Sequence, residues 1–332
     1  MKIAINGFGR IGRPSFKIAL ENKNVEIVAI NDLTDNKTLA NLLQYDTAYG
    51  KYGKEVTHDD DHLIVDGKKY IALSEPDPTK LPWKDLNVDV VLECTGVFRD
   101  SEGAMKHISA GAKTVLLSAP GKSKDIQTFV KGVNNDSFDK ENNKIVSNAS
   151  CTTNCIAPVM AVLQNSFGVA KAFMTTVHSY TADQNIVDGP HKDLRRGRTA
   201  GQNIVPTTTG AAIATTKTIP KLEGKFDGMA IRIPTQVGSL SDITAVLSKD
   251  VTVEDINKVL TEASKNPIYK GILEVTSEAI VSSDIIANPH SAIVDLSFTK
   301  VVGGNLVKVL AWYDNEWGYS NRLIEIAEQF GK

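Results

Sequence analysis

Gly7-Phe8-Gly9-Arg10-Ile11-Gly12 is the stretch on which the fold turns. It is a G-x-G-x-x-G element, and that spacing alone says little. Here it follows an apolar run, Lys2 to Asn6, that reads as a buried strand. It opens a helical pattern, Arg10 to Leu20, with Pro14 tolerable in the first turn. In that setting each glycine has a task. Gly7 permits a tight turn, Gly9 lets the backbone approach a pyrophosphate, and Gly12 allows close helix–strand packing. The helix N-terminus offers unpaired N–H groups and partial positive charge to phosphate. Asp32 closes a second β-rich run, Val25 to Asn31. A carboxylate there accepts from a ribose 2′-hydroxyl and repels a 2′-phosphate, which favours NAD over NADP. Gly121-Lys122-Ser123 imitates the end of a P-loop, but Leu116 stands where that motif needs glycine, so the segment reads as a turn.

Outward from this element, β-like runs alternate with helical ones. Val88 to Cys94 and Thr114 to Ser118 flank the helical Ser101 to Ala110, and Ile145 to Ser147 follows. The alternation predicts an α/β, Rossmann-type doubly wound parallel sheet. Val56 to Leu73 alternates polar and apolar residues around Asp66-Gly67 and predicts an antiparallel insertion. The second half has wider-spaced β runs, at Ala170–Val177, Met229–Pro234, Asp242–Ser248, Ile293–Lys300 and Leu306–Tyr313. With a helix over Val253–Ser264, capped by Thr252, they predict an α+β catalytic domain with a mainly antiparallel sheet. The expected division is a dinucleotide-binding domain, 1–150, and a catalytic domain, 151–314. A C-terminal helical segment, 315–332, packs back on the first domain.

The chain has 332 residues, 42% hydrophobic and 23% charged, with a net charge of −2. This is a globular composition of two-domain length. The balance argues against a protein built to neutralise nucleic-acid phosphates. Three cysteines form no disulfide framework. The first residues lack a secretory h-region, and no apolar run is long enough to span a bilayer, so the expectation is a cytoplasmic protein without membrane contact. His58 and His62 bracket an aspartate run that reads as a solvated turn, and no metal site is expected.

Ser150-Cys151-Thr152-Thr153-Asn154-Cys155 carries the chemistry. Ser150 is a good N-cap, which puts Cys151 in the first turn of a helix. There the dipole and exposed N–H groups are expected to lower its pKa. Cys155, one turn on, points into packing. His178 ends a β-run and leads into a polar stretch, Ser179 to Thr209, of the length that is usually functional or at an interface. A histidine there is a candidate general base.

These pieces together resemble the phosphorylating glyceraldehyde-3-phosphate dehydrogenases. The matching elements are Ile5 to Arg13, Ile30-Asn31-Asp32, Ser147 to Cys155, Val177 to Thr181, Pro190 to Arg196, Thr209 to Ala212 and Trp312 to Glu316, in the family's order along the whole chain. The resemblance implies Cys151 as nucleophile and His178 as base, acting through a thiohemiacetal and a thioester. It implies substrate and phosphate contacts from Ser150, Thr152, Thr181, Thr209, Gly210, Arg232 and one of Arg195 and Arg196. It implies NAD contacts from Gly7, Gly9, Arg10, Ile11, Asp32, Thr95, Gly96, Ser118 and Asn315. It further implies glyceraldehyde 3-phosphate and inorganic phosphate as partners and a homotetramer, with no nucleic-acid partner. Erythrose-4-phosphate dehydrogenases and non-catalytic scaffolds are the alternatives on the same fold. The sequence departs from the family pattern at Pro76, where many members have arginine, at Ile213, and at Gln236-Val237-Gly238.

Overall fold

Lys2–Asn6 forms strand β1 and Glu26–Asn31 forms β2, joined by helix α1, Gly12–Glu21. The computed structural model describes residues 1–331. These divide into two compact units. One comprises 1–129, 135–149 and the chain from Ser320 onward, and the other comprises 130–134 and 150–319.

The first unit holds a nine-stranded sheet. From one edge its strands are Gln127–Thr128, Ile145–Ser147, Thr114–Leu117, Val90–Glu93, β1, β2, Lys68–Leu73, His62–Val65 and Val56–His58. The first seven run parallel to their neighbours. Val90–Glu93 and Thr114–Leu117 are buried throughout, as expected of parallel strands covered on both faces. The region from Val56 to Leu73 departs from the sequence expectation. Its hairpins are antiparallel, but Lys68–Leu73 also pairs parallel with β2 and so belongs to the main sheet. Alternation reports one buried face and says nothing of which strand lies beyond the hairpin.

The first unit's core includes Ile3, Ile5, Phe16, Leu43 and Leu92. The last helix, Trp317–Gly331, adds Leu323, Ile324, Ala327 and Phe330 to it. The Phe330 ring stacks on Phe138 with centroids 3.6 Å apart and meets Phe129 edge-on at 5.1 Å.

The second unit carries a seven-stranded mixed sheet. The order is Val205–Thr207, Phe226–Ile233, Val169–Ser179, Ser239–Leu247, Leu306–Tyr313, Ala292–Val302 and Leu273–Thr276. Four of its pairings are antiparallel and two parallel. Ser239–Leu247 alternates buried and part-exposed residues along its whole length, so one face carries the core. On that face lies the helix Cys151–Phe167, buried without interruption from Thr152 to Leu163. Val205–Thr207 lies within the stretch read as loop. It is a short edge strand containing proline, a composition that hides a strand from pattern reading.

Candidate active site

The local sequence first sets the position of Cys151, the candidate nucleophile. Ser150 is the N-cap of the helix Cys151–Phe167, and its hydroxyl accepts from the Thr153 N–H at 3.1 Å. Cys151 is thereby the first helical residue, as the sequence predicts. Strand register builds the rest. Val169–Ser179 and Phe226–Ile233 run parallel with His178 beside Arg232. His178 is buried, and its Nε2 lies 3.4 Å from Cys151 Sγ.

The other imidazole nitrogen fixes the tautomer. His178 Nδ1 lies 2.6 Å from the Ser179 carbonyl, which can only accept, and 3.1 Å from Arg232 Nη1, which can only donate. The shorter contact assigns the proton to Nδ1, with the Arg232 Nη1 hydrogens directed to the Ser179 carbonyl and Thr181, so Nε2 presents a lone pair to the thiol. Arg232 Nη1 donates to the same carbonyl at 3.0 Å and to Thr181 Oγ1 at 3.0 Å. One carbonyl oxygen thus orients both the imidazole and the guanidinium.

Electrostatics here corrects a sequence expectation. Burial pushes the Cys151 thiol up rather than down, with the Arg232 charge and hydrogen bonding around Thr152 opposing it. Burial and the Arg232 charge pull His178 down to about 3. The helix start does not outweigh desolvation, and the pair rests as thiol and neutral imidazole. Cys94 is pushed up to about 12 and Cys155 also well up, both by burial without a nearby guanidinium to oppose it. Iodoacetate at pH 8 is therefore expected to label Cys151 first in the folded protein, checked by mass mapping of the three thiols. Equal labelling would contradict this ordering.

Two further side chains join the site to which the sequence assigns no role. Tyr313 Oη lies 3.0 Å from Thr152 Oγ1 and 2.8 Å from Thr176 Oγ1, and its ring meets that of His178 edge-on at 6.0 Å. Asp183 accepts from the Thr181 hydroxyl and pairs with Arg196 Nη1 at 2.7 Å. Arg196 also donates through Nε to Thr207 Oγ1 and through Nη2 to the Thr208 carbonyl. Arg195 is exposed. Thr209 and Gly210 lead into the helix Ala211–Thr218, where Thr209 Oγ1 accepts from the Ala211 N–H at 3.2 Å.

In the first unit the structure needs glycine at Gly7 and Gly12 for local reasons. Gly7 has φ of +94°, and a Cβ on Gly12 would stand 2.1 Å from the Gly7 carbonyl oxygen. No atom crowds the position a Gly9 Cβ would take, so that side of the turn is open. A cleft of about 450 Å³ is lined by Gly7, Gly9, Asn31, Asp32 and Thr95, with Pro76 at its wall. Asp32 accepts from the Phe8 N–H at 2.7 Å and from the Thr34 N–H at 3.0 Å, bracing the turn. Ile11 precedes α1 as its N-cap residue, and Arg10 pairs with Asp46 at 2.5 Å. Gly96 has φ of +73° and follows Thr95 directly. The Ser118 N–H is bound to the Glu93 carbonyl. Asn315, in the second unit, accepts through Oδ1 from the Gly238 N–H and the Ser239 hydroxyl.

Residues 1–101 match the NAD-binding domain of glyceraldehyde 3-phosphate dehydrogenase, and residues 150–315 match its C-terminal domain. Among relatives, the glyceraldehyde-3-phosphate dehydrogenase of Streptomyces coelicolor is 52% identical over 327 residues, covering 98% of this chain and 97% of the relative. Glyceraldehyde-3-phosphate dehydrogenase 2 of Bacillus subtilis is 51% identical over 326 residues, covering 98% and 95%.

The chain belongs to the glyceraldehyde-3-phosphate dehydrogenase family.

A glyceraldehyde-3-phosphate dehydrogenase of this family uses NAD, and the first unit suits that group on its own evidence. Its cleft lies at the carboxyl ends of parallel strands, beside a glycine turn open at Gly9 and a carboxylate at Asp32. Among the described residues no helix is long and apolar enough to cross a membrane, and no group of three or more His, Cys, Asp or Glu is placed to hold a metal ion.

Proposed function

We propose that the chain catalyses phosphorylating, NAD-dependent oxidation of glyceraldehyde 3-phosphate to 1,3-bisphosphoglycerate, a step of glycolysis and gluconeogenesis. The observation that carries this reading is the 3.4 Å approach of His178 Nε2 to Cys151 Sγ, with Nδ1 tied to the Ser179 carbonyl. Nε2 takes the thiol proton as Sγ bonds to the aldehyde carbon, then returns it to the alkoxide, giving a thiohemiacetal. The Cys151 backbone N–H, unpaired within its helix, stabilises the oxyanion. When bound, NAD supplies the nicotinamide ring that accepts hydride. His178 removes the hydroxyl proton in that step, leaving a thioester on Cys151. Inorganic phosphate attacks the acyl carbon, the C–S bond breaks with its electron pair on Sγ, the proton held by His178 Nε2 returns to that thiolate, and acyl phosphate departs.

Two anions need two cations. Arg232 and Thr181 share a hydrogen bond and suit the substrate's phosphate. Ser150, Thr152, Thr209 and Gly210, with Arg196, suit the attacking phosphate. Arg196 is chosen over Arg195 because Asp183, Thr207 and Thr208 hold its guanidinium in one orientation, whereas Arg195 is exposed. The same reading makes the chain a cytoplasmic homotetramer. Exposed Ile186, Val187, Leu194 and Ile204 in the stretch after His178 support burial against a second copy.

The test is NADH formation from glyceraldehyde 3-phosphate and from erythrose 4-phosphate, each with and without phosphate. Fast, phosphate-dependent turnover of the three-carbon aldehyde is expected. Phosphate-independent turnover favouring the four-carbon sugar would overturn the assignment.

A further inference from the structure

The first unit contains a buried polar network that the proposed chemistry does not use. At its centre is Glu93, 1% exposed, with His107, 0% exposed, beside it. Glu93 Oε1 accepts from the Thr95 N–H at 2.8 Å and from the Thr95 hydroxyl. Its Oε2 lies 2.6 Å from Asn6 Nδ2 and 3.1 Å from His107 Nε2. On the far side of the imidazole, the Trp83 indole N–H meets His107 Nδ1 at 3.0 Å.

The donor count assigns the protons. An indole nitrogen can only donate, so His107 Nδ1 accepts and Nε2 carries the hydrogen that faces Glu93. Four N–H or O–H groups then converge on two carboxylate oxygens. Only an acceptor-only group satisfies all four, and an amide would set its NH2 against two donors. The network continues to the cleft wall. Asn6 Oδ1 accepts from Asn31 Nδ2 at 2.7 Å, and the Asn31 amide makes paired bonds with the Glu75 backbone at 2.9 Å each. Asn6, Asn31, Glu75 and Thr95 all line the cleft.

We infer that Glu93, oriented by His107 and Trp83, is a positioning residue for the cofactor: it holds the ends of β1 and β2, the Glu75–Pro76 backbone and the Thr95–Gly96 turn in one geometry around the dinucleotide cleft. This rests on the reading of that cleft as the NAD site. The sheet ladder joins the strand ends as far as the Gly7 N–H to Asn31 carbonyl and Cys94 N–H to Asn6 carbonyl bonds. The side chains of the network extend the connection past it to Thr95 and Glu75, which strand pairing alone does not hold.

The experiment is calorimetric titration of the purified full-length protein with NAD, with thermal melting alongside. Wild-type protein that fails to bind NAD would overturn the cofactor reading itself. Given wild-type binding, Glu93→Gln is expected to weaken NAD affinity about tenfold, since two donors lose their acceptor. The KM for NAD should rise in step, with that for glyceraldehyde 3-phosphate within about twofold. His107→Leu is expected to weaken NAD binding in the same direction. His107→Gln, whose amide offers one acceptor and one donor as the imidazole does, should restore affinity toward wild type. This pair decides the matter if Glu93→Gln does not fold. A lowered melting temperature with NAD affinity unchanged would show that the network only supports the core, and would overturn the inference. So would equal affinities for the two His107 variants.

Discussion

Cys151→Ser is expected to lower dehydrogenase turnover by about four orders of magnitude or more while NAD still binds within about twofold of wild type. His178 is pulled down to about 3, so its neutral imidazole is a weak base. It can take a proton from a thiol at 3.4 Å as the C–S bond forms, because sulfur tolerates partial negative charge. A serine hydroxyl is far less acidic and yields an ester, a poorer acyl donor to phosphate. The residues lining the dinucleotide cleft lie on other elements, in the other compact unit, and lose no contact. Stopped-flow NADH formation with parallel NAD titration checks both halves. Turnover above a tenth of wild type would remove Cys151 as nucleophile.

His178→Asn is expected to cost about 10²- to 10⁴-fold in kcat, the usual worth of a positioned general base. Asparagine is chosen because its amide N–H can replace Nδ1–H at the Ser179 carbonyl, keeping the strand end and Arg232 in place while removing the Nε2 lone pair. Stability gives a second readout with a definite sign. The folded His178 titrates below the unfolded value of about 6.5, so the unfolded chain binds the proton first as pH falls. The stability this residue contributes is present above about pH 6.5 and is lost as pH falls toward 3. The melting temperature of His178→Asn should therefore fall less steeply than wild type between pH 6.5 and 4.5. A parallel decline in both proteins would show that the imidazole is not held neutral. A kcat within threefold of wild type would remove His178 as base.

The dinucleotide turn and the thiol were legible because each is a local device. Gly12 has to be glycine because of an oxygen five residues away, and Ser150 caps a helix whose N–H groups lie within the next turn. The pairing of His178 with Arg232 spans 54 residues and depends on two strands lying parallel in one register. No local pattern encodes that neighbour. Tyr313 and Asp183 were missed for the same reason. Their partners come from other strands and loops, and a tyrosine closing a β-run looks like core until its hydroxyl is found between two threonines. The thiol's pKa was misjudged because the sequence shows the helix start but not the burial that opposes it. Glu93 and His107 read as a strand end and a helix residue, and their meeting is visible only across the sheet.

The last helix has a consequence for how this chain comes into being. Phe330 completes an aromatic cluster with Phe129 and Phe138, yet nearly two hundred residues separate it from them, among them almost the whole of the other unit. During synthesis the nucleotide-binding half therefore keeps an open apolar seam until the helix Trp317–Gly331 has been made. The catalytic half, whose own core takes no residue from that helix, can settle first. The part translated earliest is in this sense the last to be finished.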